Sequence, residues 1–116
     1  MAKVIGVHEI DLGEGADPAE FEQLAAAAAG EPLPSGMNVR VFKGNRGPRN
    51  GSYLMLIEIN SVEERDRYFP VEDSPDDSPE LQAYFAANPA AAEAWGRVMN
   101  YEPSNETSTD YLELNG

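Results

Sequence analysis

The chain has no cysteine, a single histidine (His8) and a single tryptophan (Trp95) among 116 residues. Without cysteine there are no disulfides, thiolate metal sites or thiol nucleophiles, and a reducing compartment is compatible. With one histidine there is no His-rich metal set, and any imidazole base must be His8. Basic residues are also scarce, 8 against 21 acidic, for a formal charge of -13. That balance opposes binding to nucleic acid, whose affinity comes from neutralising phosphates, and to anionic membrane surfaces. No apolar run approaches the roughly 20 residues of a membrane span. Met1–His8 lacks the apolar region of a signal peptide. These absences point to a soluble cytoplasmic protein, and the length suits a single domain over residues 1–116.

The most informative stretch runs from Asn38 to Asn60. Two β-rich runs flank the turn-rich Gly44–Gly51, which predicts a long hairpin. In its first strand Val39 and Val41 face one way, Arg40 and Phe42 the other. In its second, Tyr53, Met55, Ile57 and Ile59 share a face, and Leu54, Leu56 and Glu58 share the opposite one. A strand that is apolar on both sides needs cover on both. One helix layer covers one face. The expectation is that a second copy of the chain covers the other, giving a homodimer.

The remaining elements read in order. Lys3–Leu12 alternates as a first strand, with Val4, Gly6, His8, Ile10 and Leu12 on one face and Lys3, Ile5, Val7, Glu9 and Asp11 on the other. Asp17-Pro18-Ala19-Glu20 is a helix start, Phe21, Leu24, Ala25 and Ala28 recur at helical spacing, and Gly30 ends the helix. Ser61-Val62-Glu63-Glu64 caps a short helix ending near Tyr68. Val71–Ser78 reads as an acidic loop, and Ser78-Pro79 opens a further helix. Asn88-Pro89 interrupts it before a last helical segment to Met99. After a polar loop from Glu102, Thr109–Leu114 is a short final strand.

The order β-α-β-β-α-β is the ferredoxin-like α+β arrangement with an antiparallel sheet. Together with the doubly apolar hairpin, and with segments such as Ser61-Val-Glu-Glu-Arg-Asp-Arg-Tyr-Phe-Pro70 and Thr109-Asp-Tyr-Leu112, the chain resembles uncharacterised bacterial members of the dimeric α+β barrel superfamily. That group includes stress-responsive A/B-barrel proteins and antibiotic-biosynthesis-type monooxygenases. The resemblance implies two sheets closing face to face into a barrel, and a small aromatic or polyketide-like ligand. Chemistry of this kind can run without a cofactor as a monooxygenase, cyclase or isomerase. A cyclase in the group uses a first-strand histidine with a tyrosine, although the second histidine of that enzyme has no counterpart here.

Several residues are candidates for chemistry. His8 is the candidate base or ligand anchor, and Tyr68, at the end of the short helix, is the second catalytic candidate, on the wall of the cavity. Arg40 and Glu58 have similar offsets from the hairpin loop, so they are expected to pair across the strands and orient a polar ligand. Tyr53 and Trp95 are candidate walls of a ligand cavity. The Gly44–Gly51 loop lacks the Gly-Lys-Ser/Thr ending of a phosphate loop and reads as a mobile tip with solvated Arg46 and Arg49. With Arg40 and Lys43, these arginines make the hairpin the one locally positive spot. Asp73, Asp76, Asp77 and Glu80 lack calcium-loop spacing, so no metal or cofactor is expected. The alternative to an enzyme is a non-catalytic dimeric module that binds a ligand or has a structural, stress-related role.

Overall fold

A computed structural model describes residues 2–70, 78–101, 103 and 107–114. The elements run β1 (Val4–Ile10), α1 (Pro18–Ala29), β2 (Met37–Lys43), β3 (Tyr53–Ile59), α2 (Val62–Tyr68), α3 (Pro79–Ala87), α4 (Pro89–Met99) and β4 (Thr109–Leu112). Local chemistry explains most boundaries. The Asp17 carboxylate accepts from the Ala19 amide at 3.0 Å ahead of Pro18, satisfying one of the free N–H groups of a first turn. Ser61 and Ser78 do the same for the amides of Glu64 and Leu81, each at 3.1 Å. Asn88 separates α3 from α4, since Pro89 cannot continue a helix through its ring.

The four strands form one antiparallel sheet in the order β2-β3-β1-β4. This is the ferredoxin-like arrangement expected from the sequence. The hairpin is closed by backbone bonds from Gly44 to the Ser52 carbonyl at 2.7 Å and from Gly51 to the Gly44 carbonyl at 2.8 Å. The chain there is so tight that a Cβ on Gly44 would run into the Arg49 carbonyl. Gly51, with φ 85°, takes a left-handed conformation that side chains disfavour.

Register assigns every strand residue to a face. Ile10 pairs with Tyr53, His8 with Met55 and Val39 with Ile57. This face carries the helices, and Ile10, Val39, Tyr53 and Met55 join Phe21, Ala25 and Ala28 of α1 and Trp95 and Val98 of α4 in one core. The alanines keep α1 thin enough to lie close against the sheet and against α4. The opposite face carries Ile5, Val7, Leu54 and Leu56, and no described element covers it.

Two boundaries are shorter than the alternation predicts. β1 spans Val4–Ile10 rather than Lys3–Leu12, and β4 stops at Leu112 instead of Leu114. Pairing sets these limits: β1 has partners on β3 only from Val4 to Ile10. Alternation extends a strand for as long as side chains permit, whereas the ladder ends where the neighbour does. The acidic stretch 71–77, and with it Asp73, Asp76 and Asp77, lies outside the described residues. So do positions 102 and 104–106 of the second polar loop.

Candidate functional site

The open sheet face is organised by register into cross-strand rows. One row reads Arg40, Leu56, Val7, Thr109 across β2, β3, β1 and β4; the next reads Asn38, Glu58, Ile5, Tyr111. Because adjacent strands lie about 4.8 Å apart, Ile5, Val7, Leu54 and Leu56 merge into one apolar patch. They are only half-buried, shielded by one another. Phe42 and Tyr111, exposed by 42% and 55%, flank the patch on the outer strands. A groove of about 530 Å³ crosses one end of this face.

Charge enters the groove through Glu58. Lys3 Nζ donates to its Oε1 at 2.7 Å, and Arg40 Nη2 donates to its Oε2 at 3.2 Å. Arg40 and Glu58 therefore meet as the hairpin offsets predict. Their contact is diagonal, since Arg40 lies opposite Leu56. The Arg40 guanidinium also lies 5.5 Å from the centre of the Phe42 ring.

The hydrogen bond from Lys3 holds the Glu58 carboxyl below its ordinary pKa, overcoming the opposing effect of burial, and the same bond raises Lys3. The Glu58 contribution to stability is complete above the ordinary carboxylate pKa and is lost as pH falls through the lowered one. The Lys3 contribution is present below the ordinary lysine pKa and lost as pH rises through the raised one. Lys3 is nearly half exposed, so solvent screening weakens the alkaline limb. A carboxyl-carbon NMR titration should find Glu58 below the ordinary value of about 4.3, and Lys3→Met should move it back up. An ordinary Glu58 pKa in the unsubstituted protein would contradict this account.

The other four candidates lie elsewhere. His8 shares the helix-side face with Val4 and Ile10, half-buried, with Nε2 3.5 Å from Ser108 Oγ. Tyr53 is on the same side, and its hydroxyl donates to Glu22 Oε2 at 2.6 Å, an oxygen that also accepts from Lys43 at 3.1 Å. Burial, reinforced by that bond to Glu22, pushes the Tyr53 phenol above its ordinary pKa. Trp95 is 7% exposed in the helix-side core, with its indole N–H unpartnered among the described residues. Tyr68 is buried, donating to the Ser35 carbonyl at 3.3 Å and accepting from Arg67 at 3.2 Å. The six candidates therefore do not converge within one protomer. The sheet itself separates His8, Tyr53 and Trp95 from Arg40 and Glu58.

The hairpin tip also differs from expectation. Arg49, still partly exposed, is not a free cation: it donates to Asp11 Oδ1 at 2.9 Å and to the Tyr53 carbonyl at 3.1 Å, and it lies 3.7 Å from Glu9. With Lys43 on Glu22 and Arg40 on Glu58, most of the apparent positive spot is neutralised by acids from other elements. Of the residues lining the groove, only Arg40 and Glu58 were among the candidates; Lys3 and Tyr111 are two of those that were not. Lys3 reaches Glu58 across 55 positions, and only the β1–β3 register reveals that contact.

Among the described residues, no group of three or more metal-ligating side chains comes together, and no helix is long and apolar enough to cross a membrane. The fold and groove define a ferredoxin-like α+β protein with one sheet face that no described element covers. No family model matches the chain, and no curated protein matches its sequence. Among solved structures, it resembles a dimeric protein of unknown function and ferredoxin-like fold from Bacteroides fragilis. The TM-score is 0.51 at 13% identity, over 96% of each chain. A protein from Arabidopsis thaliana also matches, with a TM-score of 0.42 and 15% identity over 97% of this chain and 93% of that one.

Proposed function

We propose that this chain is a small-molecule-binding homodimer of the dimeric α+β barrel type, a single cytoplasmic domain whose two open sheet faces meet and enclose the ligand. The observation that carries the reading is the uncovered face itself. Ile5, Val7, Leu54 and Leu56 form a continuous apolar patch with Phe42 and Tyr111 beside it. Burying a side chain of this size contributes about 1.5–3 kcal/mol, and these are already half-buried. About 1 kcal/mol each remains to be gained, and twofold symmetry counts every side chain twice. The Bacteroides protein of the same fold is itself dimeric, which supports a partner of this kind.

Within that dimer, Arg40 and Glu58 orient the polar end of the ligand. The reading is of binding rather than turnover. The proposed base His8 lies behind the sheet, and the Tyr68 hydroxyl is engaged by the Ser35 carbonyl. Sedimentation at micromolar concentration should give twice the 12.6 kDa protomer mass. A monodisperse, folded monomer would overturn the proposal.

A further inference from the structure

We propose that Asn50 is a site of spontaneous covalent modification, losing its side-chain amide to become aspartate or isoaspartate, and that closure of the hairpin tip sets the rate. In an asparagine-glycine pair the next backbone nitrogen reaches the side-chain carbonyl carbon most readily, because glycine has no Cβ in the way. The chain has this pair at Asn50-Gly51 and at Asn115-Gly116. At the first, both residues are exposed, and no described group hydrogen-bonds the Asn50 carboxamide. The chemistry needs only water. The Gly51 nitrogen attacks Asn50 Cγ and gives up its proton. The new N–C bond closes a five-membered imide, and the bond from Cγ to the amide nitrogen breaks, releasing ammonia. Water then opens one of the two imide C–N bonds. One opening gives aspartate. The other gives isoaspartate, whose main chain runs through Cβ and is one atom longer. The net change is one water taken up for one ammonia lost, with no oxidation or reduction.

The fold opposes the first move. The Gly51 N–H that must attack already donates to the Gly44 carbonyl at 2.8 Å. Ser52 N–H donates to the Arg49 carbonyl at 3.0 Å, closing a turn around the pair, and Asn50 N–H donates to the Gly47 carbonyl at 3.1 Å. Gly44 packs so closely here that a Cβ on it would strike the Arg49 carbonyl and crowd Asn50 Cα. Arg49 is fastened in turn to Asp11 and to the Tyr53 carbonyl. Attack requires the Gly51 nitrogen to leave Gly44 and turn towards the Asn50 side chain, so it proceeds from molecules whose tip has opened locally. The product favours that opening. The longer main chain of isoaspartate no longer fits the turn that Ser52 closes, and a carboxylate at position 50 competes with Asp11 for Arg49.

The test is peptide mapping of the full chain by mass spectrometry after incubation in neutral buffer, both folded and in urea that unfolds it. Position 50 should convert to aspartate and isoaspartate in urea. In the folded chain it should convert about a hundredfold more slowly, the factor given by three backbone hydrogen bonds of ordinary net strength. Asn45, in the same loop but followed by Arg46, should lag behind Asn50 in urea. Gly44→Ala should raise the folded rate towards the rate in urea. Arg49→Gln keeps the tight glycine packing and releases only the clamp on Asp11, so it answers the question even where Gly44→Ala does not fold. Measured against its own rate in urea, its folded rate should rise about tenfold, the effect of losing a charged hydrogen bond. Asn50 that stays intact in urea while Asn115 converts would overturn the site. Equal rates in the folded and unfolded chain, or a folded rate that Arg49→Gln leaves unchanged, would overturn control by the hairpin tip.

Discussion

If the proposed homodimer forms through the open sheet face, Leu56→Asp is expected to give a monomer that remains folded. Leu56 sits in the middle of the open face, flanked across the strands by Arg40 and Val7. It touches none of the helix-side core, so the layer of Phe21, Met55 and Trp95 stays intact when it changes. In the dimer the substitution occurs twice, and each new carboxylate loses water in an apolar setting. The effective penalty for such an ion is several kcal/mol. Even about 4 kcal/mol in total weakens a dissociation constant about a thousandfold. Sedimentation should show protomer mass at concentrations where the parent is dimeric, with an unchanged far-ultraviolet circular dichroism spectrum. A Leu56→Asp protein that sediments as a dimer would place the interface elsewhere.

Phe21→Ala should produce the largest loss of stability. Phe21 is fully buried, with ring centres 4.7 Å from Tyr53 and 4.9 Å from Tyr101. It therefore fastens α1 to β3 and to the turn just past the last helix. Removing a buried phenyl costs about 3–5 kcal/mol through lost transfer energy and the cavity left behind, a large share of the roughly 5–15 kcal/mol of a domain. Urea unfolding at one fixed protein concentration should show a much lower midpoint with little change in slope. Phe21→Leu, which refills much of the cavity, should lose less than half as much. A loss below about 1 kcal/mol for the alanine variant would mean that the neighbours collapse into the space.

Element type was largely readable from local chemistry. Asp17-Pro18, Ser61 and Ser78-Pro79 mark helix starts through side-chain capping, and Asn88-Pro89 through the geometry of proline alone, effects that act over a few residues. Gly44–Gly51 marks the turn for the same reason. The period-two alternation in Leu54–Ile59 assigns two apolar faces without knowledge of any neighbour. The site was less readable. Arg40 with Glu58 was accessible because a hairpin fixes their relation through one loop. Tyr53 and Trp95 read as possible ligand walls because an aromatic looks the same in a core as in a pocket.

The sequence by itself determined the order of elements, the two-sided greasiness of the central hairpin and the acidic surface, since each follows from interactions between residues close along the chain. Only the tertiary structure decided that Lys3 meets Glu58, that acids from other elements hold Lys43 and Arg49, and that His8 and Arg40 stand on opposite sides of the sheet. Those relations depend on strand order and register, which are set by burial summed over the whole core and leave no mark within any short segment.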